Sequence, residues 1–187
     1  MRATADGKVK ITLDFIRDII IHELELQEDQ VVIYNQKWMI PNDDRLYITV
    51  EYNGTPKTIA SRNSFNSETQ EEEQVINTQE NIVLGILSRG IIALQRKEEV
   101  IMALGSIYSQ QTQEANSFQI GYVAPIQNLT KLEASALLYR FDIPLNVLAW
   151  YEKSKTVDFY DSYTGRVKTE EVTVDFTQPV VDPDPTA

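Results

Sequence analysis

Residues 134–152, ASALLYRFDIPLNVLAWYE, constrain the fold more than any other stretch of the chain. Leu137, Tyr139, Phe141, Ile143, Leu145, Val147, Ala149 and Tyr151 alternate with Leu138, Arg140, Asp142, Pro144, Asn146, Leu148 and Trp150. Successive side chains of a strand point to opposite sides, so this unbroken apolar phase at period two specifies a β-strand with one buried face. At ~3.3 Å per residue the alternating run reaches roughly 50 Å, far beyond the usual strand of about 5–6 residues. Such a strand needs partners to pair it and a layer to cover it. Pro144 lies in the more polar phase and has no amide hydrogen, so it marks a bulge or an unpaired edge stretch. Leu138, Leu148 and Trp150 make even that phase partly apolar. A sheet covered on one face needs only one apolar phase, and the surplus points to a subunit contact.

The rest of the chain supplies the partners and the layer. Leu13, Ile16, Ile20 and Leu24 recur at helical spacing, flanked by Phe15 and Ile19, and predict a helix over about 12–25 with Thr12 as a cap and Asp14 suited to the positive end of the dipole. Val31–Tyr34 is a short β-rich run, Pro41–Asp44 a turn, and Leu46–Tyr52 an alternating strand. Asn53-Gly54 is a favoured tight-turn pair, which predicts a strand returning over 57–62. Residues 63–73, NSFNSETQEEE, read as a solvated loop, and Gln74–Leu87 as a strand whose more apolar phase is Ile76, Thr78, Glu80, Ile82, Leu84 and Ile86. A second helix is predicted over Ile92–Gln111, with Val100, Leu104 and Ile107 as its buried stripe, Ile101 and Tyr108 beside it, and Gly105 in the middle. A strand at Phe118–Ile126, a polar turn at Gln127–Lys131, and a last hairpin at 156–160 and 171–176 about a Thr164-Gly165 turn complete the pattern. No repeated strand–helix–strand spacing is present, so the fold class is α+β: a mostly antiparallel twisted sheet with two α-helices on one face and a long hairpin. Residues 10–176 read as one domain, 1–9 as an extended N-terminal arm, and the acidic, Pro-rich 177–187 as a C-terminal arm.

Composition narrows the chemistry. The chain has no cysteine, which excludes disulfides, thiolate catalysis and cysteine-based metal sites. Its formal net charge of −11 repels nucleic acid and anionic membranes on average, and its 17 Lys and Arg are scattered. Neither an apolar run of about 18 residues nor a leader-like opening in MRATADGKVK is seen, so a soluble protein of a reducing cytoplasm is expected. No phosphate-binding, zinc-protease or nucleophile-elbow motif is present. His22, the single histidine, reads as a half-buried helix residue or, on a functional reading, a general base. Asp142, Asp158 and Asp161 could pair as acid and base, but each sits among aromatic strand residues without a recognisable partner, and chance spacing of 28 acids explains them.

The expected sites are surfaces. Arg89, Arg96 and Lys97 flank the start of the second helix, with Glu98 and Glu99 directly after; they make ordinary surface pairs or salt bridges to a neighbouring subunit. Trp38 and Trp150 are core residues or interface anchors, and Leu138, Leu148 and Trp150 are candidates for the subunit contact. Glu68, Glu71, Glu72 and Glu73 lack the Gly turn and alternating ligands of a calcium loop, leaving a solvated loop or a charged docking surface.

Three segments between Gln74 and Lys153 carry a resemblance: QVINTQENIVLGILSRG, RKEEVIMALGSIYSQQTQE and SALLYRFDIPLNVLAWYEK. With the order helix, hairpin, acidic loop, long strand, helix, strand, longest strand, the chain resembles the tail terminator and neck proteins of tailed phages, especially those with contractile tails. Residues 63–73, 156–176 and the acidic end look like additions to that pattern. The resemblance implies a non-enzymatic virion protein, made in the bacterial host cytoplasm and without a cofactor. It implies a ring, commonly of six subunits, that caps the tail tube and meets the head-tail connector or portal complex, with the sheath protein as a further neighbour. DNA would pass through the lumen without specific binding, past an acidic wall or docking loop such as Glu68–Glu73, and no membrane is involved. A head-side connector or tail-completion protein is the nearest alternative, and a small phage-encoded binding module or enzyme the remote one.

Overall fold

The alternating segment forms one strand of 21 residues, Ala136–Thr156. The computed structural model describes residues 11–33, 38–66, 68–133, 136–156, 162–168 and 173–179. In chain order these hold α1 (Thr12–Leu24), β1 (Val31–Ile33), β2 (Tyr47–Tyr52), β3 (Lys57–Asn66), β4 (Glu71–Ser88), α2 (Ile92–Leu104), α3 (Ile107–Ala115), β5 (Phe118–Val123), β6 (Gln127–Asn128), β7 (Lys131–Glu133), β8 (Ala136–Thr156), β9 (Ser162–Lys168) and β10 (Thr173–Pro179). The fold is α+β. An eight-stranded sheet runs β1-β2-β4-β8-β5, with β3 also paired to β4, and β6 and β7 to β8. The β1–β2 pair is parallel; β2–β4, β5–β8, β6–β8 and β7–β8 are antiparallel.

Where one domain was expected, the chain divides into two compact units. The first comprises the described residues of Met1–Arg62 and Gln74–Lys153, the second those of Asn63–Glu73 and Ser154–Ala187. The second unit coincides with the segments that the sequence marks as additions. It contains the β9–β10 hairpin, in which Ser162 to Lys168 pair antiparallel with Pro179 to Thr173. The predicted turn at Thr164-Gly165 is not there: Thr164 pairs with Thr177 and Gly165 with Phe176, inside the ladder. β-formers continue on both sides of the pair, and Thr-Gly alone does not compel a reversal. Thr177–Pro179 therefore belong to a strand rather than to the C-terminal arm, while 1–9 and 180–187 lie outside the described residues, as do Tyr34, Asp158 and Asp161.

In the first unit the expected phases are buried over their central residues, while Ile76 and Leu137 at their starts are exposed and Leu138 and Asp142 of the other β8 phase are buried. Ile82, Leu84 and Ile86 of β4 and Phe141, Ile143, Leu145, Val147 and Ala149 of β8 join Ile48 and Val50 of β2 in one core. Ile16, Ile19 and Ile20 of α1 close it from the helix side, together with Val100, Ala103 and Leu104 of α2. α1 packs on β1, β2, α2 and α3. Its N-cap is Ile11, whose amide donates to the Asp14 carboxylate at 2.9 Å, so Thr12 is helical rather than capping. At its C-terminus Glu25 takes a left-handed φ of 53°, and the Arg96 guanidinium donates to the Leu24 carbonyl at 3.1 Å.

Five further expectations are corrected. The helix over 92–111 is two helices: Ser106 accepts the Ser109 amide at 3.0 Å and caps a new one, which leaves Ile107 exposed instead of buried. The predicted count of two helices becomes three among the described residues. Asn53-Gly54 bends the chain, with Gly54 at φ 96°, but does not turn β3 back on β2; Asn53 donates to the Asn81 carbonyl at 2.7 Å, and β3 pairs with β4. The loop over 63–73 shrinks to a turn at 68–70, because Asn66 Oδ1 accepts the amides of Glu68 and Thr69 and Gln70 adopts φ 55°. The polar turn over 127–131 begins with strand β6 and ends where β7 starts, so the turn itself is only Leu129-Thr130. Pro144 is not the site of a bulge: β5 carries one opposite Asn146, where the register shifts between Ile120 and Val123, and beyond it the Ala124 amide donates to the Pro144 carbonyl at 2.8 Å.

Candidate functional site

One buried carboxylate organises the core face of the first unit. Glu80 falls in the apolar phase of β4, and is 1% exposed. Tyr151 of β8 donates to its Oε1 at 2.7 Å, Thr78 to Oε1 at 3.3 Å and Tyr52 of β2 to Oε2 at 3.3 Å. Thr12 Oγ1 of α1 lies 3.3 Å from the Tyr151 hydroxyl. A buried charge is tolerated only where donors replace its water, and three hydroxyls do so here. Burial first, and the Glu80 charge second, push the Tyr52 phenol well above its ordinary range; burial likewise raises that of Tyr151. β2 and β8 are thereby joined to β4 through one side chain, and α1 reaches the group through Tyr151.

The opposite sheet face carries a second polar group. Arg140 grips Asp142 through Nε–Oδ1 and Nη2–Oδ2 contacts, both 2.9 Å, and Asp142 is 8% exposed. Glu51 lies near the pair: burial raises its carboxyl above the ordinary value, the Arg140 charge opposes this, and Asp142 adds to it. Glu51, Tyr52, Asn53, Val83, Gln127, Asp142 and Pro144 line a cleft of about 350 Å³. The sequence treats Asp142 as a chance acid; its i, i+2 spacing from Arg140 on one strand face was the available signal.

The predicted interface residues do not converge. The Arg89 guanidinium donates to the Pro41 carbonyl at 3.4 Å. Arg96 pairs with Glu99 at 2.7 Å while it caps α1. Lys97 is paired with Glu98 and lies 5.8 Å from the Phe141 ring centroid. These three cations thus have partners within the chain. Leu138 is buried, and Leu148 is half-buried opposite Gln119. Trp150 is half-buried and lines a groove of about 420 Å³ with Gln110, Gln113, Glu114, Ser117, Phe118 and Gln119. Trp38 packs on Tyr47, ring centroids 6.0 Å apart.

The acids at the β3–β4 turn belong to the second unit. Glu68, Glu71 and Glu73 are exposed and Glu72 is half-buried; Ser64 donates to Glu73 Oε2 at 3.3 Å. Among the described residues no three His, Asp or Glu side chains are grouped to hold a metal ion, and no helix is long and apolar enough to cross a membrane. His22 is exposed, stacked on Tyr108 at 3.7 Å between centroids, with Nδ1 3.2 Å from Glu23 Oε1.

What sequence reasoning missed is an apolar outer face on α2, formed by Ile91, Leu94, Ile101 and Met102. Assigning Ile107 to a buried stripe of one continuous helix hid it. The sequence matches no protein-family model, and no curated protein matches it.

Proposed function

We propose that the chain is a structural, non-enzymatic subunit of a tailed-phage neck or tail: a ring-forming tail terminator that caps the tail tube, joins it to the head connector and lets DNA pass through its lumen. The observation that carries this reading is the element order around β4 and β8. Helix, long strand, short strand and longest strand keep the order of the resemblance, although the hairpin lies at β3–β4 rather than before the acidic segment and the second helix is split in two; the quoted segments fall on β4, α2–α3 and β8. The exposed acids of the β3–β4 turn and the net charge of −11 suit a surface past which phosphates slide rather than bind.

Purified tail tubes and purified portal complex, each mixed with the labelled subunit, test the assignment. A tail terminator binds the end of the tube, and electron microscopy of labelled virions shows it at the neck. Binding to the portal complex alone favours the head-side connector, and binding to neither overturns the reading. Replacing Glu68, Glu71, Glu72 and Glu73 by lysine is expected to leave thermal stability unchanged while lowering docking or infectivity.

A further inference from the structure

We propose that a second copy of this chain covers the outer face of α2. The inference rests on the ring reading and names the surface by which copies meet.

α2 is apolar on two sides. Ala93, Val100, Ala103 and Leu104 point into the core. At 100° per residue, Ile91, Leu94, Ile101 and Met102 fall on the other side, between 37% and 73% exposed; Ile107, opening α3, is 74% exposed. A helix at the surface of a monomer carries polar side chains there. Together the five expose on the order of 400 Å² of apolar surface, as much as the largest patch on a typical monomer and comparable to the roughly 450 Å² of non-polar area that one partner contributes to a standard interface.

Charge favours a second copy as the occupant. Glu98 shares this face, but Lys97 pairs with it, so the stripe is close to neutral on a chain of net charge −11. Copies that meet through acidic surface repel one another, and here they approach without that cost. The edges at β5 and β1 offer less. The Ile120 amide of β5 is taken by Gln113 Oε1 at 2.8 Å, and the Val31 carbonyl of β1 by Arg17 Nε at 2.8 Å. Side chains thus occupy positions where an added strand would pair.

The test is the mass of the full chain in solution across a concentration series, with Met102→Glu/Ile107→Glu as the variant. The wild type is expected to exceed the 21.4 kDa monomer mass, and the variant to associate on the order of 100-fold more weakly with an unchanged circular dichroism spectrum and melting temperature. Because the chain lacks cysteine, Met102→Cys supplies one thiol; its reaction with maleimide is expected to slow as the protein assembles. A wild type that stays monomeric, a variant that assembles like the wild type, or a thiol equally reactive at all concentrations overturns the proposal. A stripe-dependent oligomer that ignores tail tubes would leave this inference standing and remove the tail-terminator reading; tube capping by the double variant at full strength would do the reverse.

Discussion

Gln113 of α3 reaches across to β5 and accepts the Ile120 amide at 2.8 Å, while its own Nε2 donates to Ser109 Oγ at 2.9 Å. Ser109 in turn donates to the Leu104 carbonyl at 2.8 Å, so the last carbonyls of α2, the first turn of α3 and the outer edge of β5 share one relay. Gln113→Ala leaves that amide without its partner. The expected result is a loss of about 1 kcal/mol in denaturant unfolding, faster hydrogen exchange at Ile120, and a greater tendency to associate through the edge. Unchanged exchange at Ile120 would show that the contact does not close the edge.

The Glu80 joint makes a prediction at high pH. The folded pKa values of Tyr52 and Tyr151 are raised, so both phenols keep their protons in the fold while the unfolded chain begins to lose them near the ordinary tyrosine value of about 10. The folded state then binds more protons than the unfolded one. The stabilisation is fully present below about pH 10 and is lost as pH rises through the folded values. A spectrophotometric titration is expected to show phenols that ionise above the ordinary tyrosine range, Tyr47 among them, and Tyr52→Phe/Tyr151→Phe to lower their number by two. At neutral pH, Glu80→Ala is expected to cost about 2–4 kcal/mol, since it opens a cavity and strands its donors.

Thr49 and Gly85 are register partners on β2 and β4. A Cβ at Gly85 would lie 2.4 Å from Thr49 Oγ1, so Gly85→Ala is expected to destabilise by about 1–3 kcal/mol. Thr49→Ala removes the obstructing atom, and the double variant is expected to recover most of the loss. Strict additivity of the two changes would place the strain elsewhere.

Strand phases were the legible part of this fold. Ile82, Leu84 and Ile86, and Phe141 through Ala149, are buried as their period demands, because a half-buried strand leaves a direct mark on its residues. Connections were not legible in the same way. Asn53-Gly54 carries the composition of a hairpin turn, yet whether the next strand pairs with β2 or β4 depends on which backbone is within reach. The break at Ser106 was masked by apolar residues that keep helical spacing across it. The interface candidates Arg89, Arg96 and Lys97 were visible as charges, but their partners Pro41, Leu24, Glu99 and Glu98 include carbonyls and residues far along the chain that only the fold brings together.

A buried acid among isoleucines also acts as a register check. Residue spacing on a strand is two per face, so a slip of one residue between β4 and β8 would swing Tyr151 to the far side and leave Glu80 without its shortest donor, with only Thr78 and Tyr52 remaining. Losing that one hydrogen bond to a buried carboxyl costs on the order of 1–3 kcal/mol, a real share of the 5–15 kcal/mol that separates a folded domain from its unfolded chain. Two long strands rich in Ile, Val and Leu have many apolar alignments of similar energy; Glu80 makes one of them far better than its neighbours, and so proofreads the pairing as the chain folds.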